Sequence, residues 1–178
     1  MKRIGWMSAL IFAIASPAFV PQSTQALSII APTTADEMVK QADLIVIGDV
    51  QDSIETAKPV RLRGMDGSIA GNYTTVRVKV RKVFKGNPKT KEILVGQHVF
   101  LAKDRSGKRY VSSIDEDVKP FQKARYLLFL RGRNVYFVSG LVYGRYNLDG
   151  KDRSEENLFR WANFEQIRKV ARERFKER

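Results

Sequence analysis

Val76-Arg77-Val78-Lys79-Val80-Arg81 decides how this chain is to be read. Side chains alternate across a β-strand with a period of two, so the valines fall on one face and the cations on the other. One face must meet a core and the other water, the signature of a half-buried strand in an antiparallel sheet. Upstream, Leu44-Ile45-Val46-Ile47-Gly48-Asp49-Val50 is β-branched and nearly continuous, the pattern of a strand covered on both sides. Tyr126-Leu127-Leu128-Phe129-Leu130 repeats that pattern downstream.

Shorter segments fill the space between. Residues 56–72 hold Pro59, Gly64, Gly67 and Gly71 and read as a long loop or a loose hairpin. Phe84 continues the valine parity before Lys85-Gly86-Asn87-Pro88 turns the chain. Further strands are expected over Glu92 to Ala102, with a break near Gly96, and over Tyr110 to Ile114, Val135 to Ser139 and Tyr143 to Leu148. Arg131-Gly132-Arg133-Asn134 closes a hairpin.

Helical signals stand at the two ends. Thr34-Ala35-Asp36-Glu37 fits a capping box, so a helix of about two turns precedes the first strand. Ser154 is placed as the N-cap of a second helix with Glu155 and Glu156 in its first turn. Leu158, Trp161, Phe164, Ile167, Val170 and Phe175 give that helix, of roughly 24 residues, one apolar stripe. The stripe packs on the barrel; a basic amphipathic helix lying on an anionic membrane is the other reading. The fold expected is therefore mainly β: a small closed or partly open antiparallel barrel of the OB type, with a short N-terminal helix and a longer amphipathic C-terminal helix. A sandwich is the main competitor.

Residues 1–26 read as a signal peptide. Lys2 and Arg3 precede the apolar run Ile4 to Ala15, and Thr24-Gln25-Ala26 offers small residues at a cleavage site. The run is interrupted by Pro17 and is short of the roughly 20 residues that span a bilayer. Export follows, to the extracytoplasmic envelope or beyond. The division expected is signal peptide 1–26, flexible leader 27–33, barrel 34–150 and C-terminal helix 151–178. Cysteine is absent, so the exported chain has neither a disulfide framework nor a lipidated N-terminal cysteine and relies on an ordinary core.

The formal charge of +13 attracts polyanions irrespective of their sequence, whether anionic envelope polymers or nucleic acid. The outward row Arg77, Lys79 and Arg81 is the candidate contact surface. For single-stranded nucleic acid it would need aromatic platforms beside it, with Tyr73, Tyr136 and Tyr143 the candidates.

The stretch from Ala42 to Val50, then Tyr73 to Val83 with Phe84-Lys85-Gly86, Pro120-Phe121 ahead of Tyr126 to Leu130, and Gly144-Arg145-Tyr146 resembles a diffuse group of exported bacterial single-domain proteins. It is also similar to the OB-like barrel of netrin modules and tissue inhibitors of metalloproteinases. The resemblance implies a fold. Those inhibitors use an N-terminal cysteine that this chain lacks, so no functional residue carries over, and protease inhibition stands only as an alternative.

No nucleophile with its base, metal cluster or cofactor loop announces an enzyme. His98 is the only histidine and reads as structural, which removes a multi-histidine zinc site. Asp115, Glu116 and Asp117 leave open a carboxylate-only hydrolase or a calcium contact, against the plainer reading of a solvated acidic loop. Gly64, Gly67 and Gly71 follow no phosphate-loop spacing. The reading is an exported, non-catalytic binding module without cofactor or metal. Its partner is a protein or an anionic envelope polymer.

Overall fold

The computed structural model describes residues 32–63, 69–114, 116–160 and 162–176. The signal peptide, most of the leader, Gly64, Gly67, Asp115 and Trp161 lie outside the described residues.

The two continuous apolar runs become neighbouring strands, β1 (Leu44–Val50) and β7 (Arg125–Gly132), paired antiparallel from Leu44↔Leu130 to Asp49↔Arg125. Both are buried on both faces because each face meets a different core. Leu44, Val46, Tyr126, Leu128 and Leu130 join Val76, Val78, Ile93 and Val95 in an inner cluster. Ile45, Ile47, Leu127 and Phe129 join helix residues in an outer one. The alternating strand is β3 (Ile69–Lys85), which pairs with β1 on one side and with β4 (Glu92–Gln97) on the other. Val76 and Val78 are fully buried while Arg77, Lys79 and Arg81 face solvent, as the alternation requires.

The ring β1-β3-β4-β8-β7 closes back on β1, with β8 (Tyr136–Val138) antiparallel to β7 and parallel to β4. It is a closed five-strand barrel of the OB type. Of the two readings of 56–72, a long loop or a loose hairpin, the second holds: β2 (Lys58–Arg63) pairs with the first half of β3. The strand foreseen over Glu92 to Ala102 breaks at His98 into β4 and β5 (Val99–Lys103), and β5 pairs with β6 (Arg109–Ser113) in a separate two-stranded sheet. The last strand, β9 (Arg145–Asn147), adds to the edge of β7 and is shorter than the sequence implies.

Two expectations need correction. Phe84 does not keep the valine parity: register shifts opposite Ile47/Gly48 and Ile45/Val46 leave Arg81 and Phe84 as extra residues on β3. Each bulge shifts the inside–outside phase, so Val83 packs on the inner cluster and Phe84 on the outer one. Phe84 there meets the ring of Phe175 edge-on, 5.1 Å between centroids.

The C-terminal helix is also not continuous. A 3₁₀ segment, Arg153–Arg160, is followed by a turn and then α2 (Phe164–Arg174), with Asn163 at φ 63° between them. The Asp152 carboxylate accepts the Ser154 amide at 3.0 Å and so does the capping expected of Ser154. Leu158, Phe164, Ile167 and Ala171 are buried against β1 and β7, whereas Val170, assigned to the stripe by spacing, is exposed. The short helix α1 (Ala35–Gln41) starts as predicted, the Thr34 hydroxyl accepting the Glu37 amide at 3.2 Å. The Glu37 carboxylate reaches one residue further back, to the Thr33 amide at 2.7 Å. Arg174 pairs with Asp36 at 2.7 Å and ties α2 to α1.

Candidate functional site

The cationic row is placed as expected, yet its charge is largely answered from within. Arg77 grips Asp52, which also accepts the Arg77 backbone amide at 2.8 Å; the guanidinium contacts are 2.9 and 3.2 Å. That guanidinium holds the Asp52 carboxyl below its ordinary value. Asp49 takes Arg81 on one side and Arg125 at 3.0 Å on the other. Lys79 alone of the three has no ion-pair partner among the described residues. Tyr73 is buried edge-on against Phe137, Tyr136 packs on the inner cluster, and the Tyr143 hydroxyl donates to the Ala162 carbonyl at 2.8 Å. None of the three aromatic candidates stands as an exposed platform beside the row.

A different place is built like a binding site. The parallel β4–β8 pair holds only Val95↔Tyr136 and Gly96↔Phe137. Beyond it the two segments no longer pair with each other, Gln97 and His98 running on one side and Val138, Ser139 and Gly140 on the other. They border a cleft of about 720 Å³. Gly96 carries no Cβ because one would collide with the Phe137 ring. That ring lies across the seam, stacked on His98 at 5.3 Å and edge-on to Tyr73 at 5.2 Å. Burial holds the His98 imidazole below its usual value, so it is neutral at neutral pH.

Two polar side chains in the cleft wall are orphaned. Gln97 is 6% exposed, and its Oε1 accepts the Phe121 amide at 2.8 Å while its Nε2 has no partner. Ser139 is 1% exposed and its Oγ is likewise unpartnered. Each unmet group costs about 1–3 kcal/mol. The same wall carries strained backbone: Gly140 and Leu141 follow one another at φ 62° and 64°. A left-handed leucine costs roughly 1–2 kcal/mol, and such strain tends to gather at ligand clamps. The turn is forced tight by Gly144, where a Cβ would lie 2.7 Å from the Phe129 carbonyl oxygen and 2.8 Å from that of Ser139.

Arg145 lines the floor and is held from behind by a buried ion pair. Arg145 pairs with Asp152, donates to the Lys119 carbonyl at 2.7 Å and lies over the Phe121 ring, 4.5 Å from its centroid. The Tyr126 hydroxyl donates to the same carboxylate at 2.8 Å. Burial alone would push the Asp152 carboxyl up, but Arg145, Ser154 and Tyr126 together hold it below the ordinary value. Burial pushes the Tyr126 phenol far up, so it stays neutral and also accepts the Gln122 amide at 3.1 Å. Phe137, Leu141 and Val142 supply apolar wall, and Lys119 and Arg131 are exposed cations at the rim.

A second depression, about 550 Å³ along α2, is lined by intermixed charges from Glu165 to Lys176 and by no orphaned polar group among the described residues. Asp115 of the acidic run lies outside the described residues, Glu116 is exposed and Asp117 lines the cleft. No group of three or more potential metal ligands occurs among the described residues, and none of their helices is long and apolar enough to cross a membrane.

Gln97, Ser139, Arg145 and Asp152 were not singled out by the sequence. Asp149-Gly150-Lys151-Asp152 reads as an ordinary turn, and the one available signal was a polar residue, Gln97, ending an apolar strand. No family model, curated protein or solved structure matches this chain.

Proposed function

We propose that this chain is an exported, non-catalytic binding module whose ligand sits in the cleft at the β4–β8 seam. The observation that carries the reading is the pair of orphaned polar groups, Gln97 Nε2 and Ser139 Oγ, in the wall of one cleft. The apolar and aromatic lining with a few convergent polar groups is the usual make-up of a small-ligand site. Export rests on the signal-like residues 1–26.

The chemistry of the wall narrows the ligand. Gln97 Nε2 offers a donor without a partner, as Lys119 and Arg131 offer donors at the rim, where Asp43 and Asp117 also line the cleft. A carbonyl or carboxylate at one end of a compact apolar body answers those groups.

Hexanoate tests this reading, followed by nuclear magnetic resonance of the chain from residue 27. The Gln97 side-chain amide and the Ser139 backbone amide should shift together and saturably. The double variant Gln97→Leu/Ser139→Ala should lose that response while staying folded. No saturable shift at Gln97 up to tens of millimolar, or an undiminished response in the variant, would overturn it.

A further inference from the structure

The β5–β6 hairpin is rooted on the barrel through Val99 and Leu101, and its tip is strongly basic. Between Lys103 and Arg109 the sequence is Lys-Asp-Arg-Ser-Gly-Lys-Arg, four cations and one acid. The acid is committed to the turn: Asp104 accepts the amides of Ser106 and Lys108, both at 2.9 Å, and the Ser106 hydroxyl. Lys103 lies directly opposite Arg109 in the register, an arrangement in which like charges repel. Neither they nor Arg105 and Lys108 have a salt bridge among the described residues, although Glu55 is near enough to Arg109 to feel its charge.

The apolar residues at the tip are equally unprovided for. Tyr110 is 50% and Val111 44% exposed. Being consecutive in a strand they point to opposite faces, so both faces of the hairpin present apolar surface, even though Leu101, opposite Val111, packs on the core. Ile114 adds a third exposed apolar side chain at the base.

From this juxtaposition we infer that the β5–β6 hairpin is an anchoring finger for anionic lipid surfaces, the tip apolar side chains entering the headgroup boundary while the cations meet lipid phosphates. Cations beside exposed aromatic and aliphatic residues are what an anionic interface takes up. A nucleic acid would use the aromatic ring for stacking but would gain little from Val111 and Ile114. The inference is independent of the cleft, which lies behind His98 at the other end of β5.

Vesicle co-sedimentation tests it on the chain from residue 27, which contains every residue of both core clusters. Vesicles of equal phosphatidylglycerol and phosphatidylcholine should bind the protein and phosphatidylcholine alone should not. Each cation near an anionic surface contributes about fivefold to partitioning. Lys103→Gln/Arg105→Gln/Lys108→Gln/Arg109→Gln should therefore lower binding by about 100-fold or more. Tyr110→Ser/Val111→Ser should lower it about tenfold with the salt dependence retained. Lys169→Gln/Arg172→Gln on α2 should leave it unchanged. Unchanged thermal unfolding in each variant shows that the fold is intact. Equal binding to neutral vesicles, full binding by the fourfold variant, or loss through the α2 variant instead would overturn the inference. Binding of oligothymidylate without vesicle binding would reassign the finger to nucleic acid.

Discussion

Two arcs of one ring are built to different standards. Along β1 and β7 the ladder runs from Leu44 to Asp49 without interruption and both faces are sealed, inward by the barrel core and outward by α1 and α2. Across from them, β4 and β8 meet through a pair of parallel contacts and then part, with a strained turn and orphaned polar groups on the parted edges. One wall is thus continuous and sealed and the other open, although an unpartnered polar atom, Tyr146 Oη, is buried on the sealed side as well.

The sharpest way to break that comparison is to cut the same side chain from each arc. Phe129, fully buried on β7 and in ring contact with Tyr146 and Phe175, should cost about 3–5 kcal/mol as Phe129→Ala. Phe137 is half-buried at the seam, and Phe137→Ala should cost about half as much. Urea unfolding measures both, and equal losses would erase the distinction between the arcs.

The Arg145–Asp152 pair links them, since Arg145 sits on β9 beside β7 and also floors the cleft. Asp152→Asn should cost about 3 kcal/mol at pH 7 by leaving the guanidinium buried without its counter-charge. The Asp152 carboxyl is held below the ordinary 3.8 of an aspartate in the folded state, so its contribution is complete above that value and is lost as the pH falls through the lower folded one. Glu155 has the opposite sign: burial raises its carboxyl above 4.5, so ionising it weighs against the fold as the pH rises through that raised value. Chemical denaturation in steps from pH 7 to 2 should show a steep loss at the acid end in the native chain and a shallower one in Asp152→Asn.

The smallest change sharpens the comparison from the other side. Ser139→Ala removes a hydroxyl that nothing in the protein answers, and should raise stability by about 1 kcal/mol, a few degrees in thermal unfolding. The same substitution should weaken hexanoate binding. A variant that gains stability and keeps full affinity would show the hydroxyl to be idle.

How much of this the sequence disclosed follows the same division. The sealed arc was legible because a strand buried on both faces must be apolar throughout, and β1 begins and ends where its run does. The valine alternation was legible as far as Val80 and then misled, because a bulge changes parity without changing composition. The broken helix had left one trace, since Asn163 is a residue type that tolerates the left-handed region. The orphaned groups left little beyond a polar Gln97 at the end of an apolar strand. What distinguishes Gln97 and Ser139 is a missing neighbour, and that is a property of the folded chain alone.

The pair of extra residues in β3 has one more consequence. They let a single strand hold Val80 and Val83 in the barrel and still turn Phe84 to the helical layer, so its far end is geared separately. Removing one residue between Arg81 and Phe84 would leave hydropathy almost untouched yet turn Val83 and its followers the wrong way round, unseating Phe175 at the far end of the chain. In this stretch spacing, more than chemistry, is what a lineage of such proteins would have to preserve.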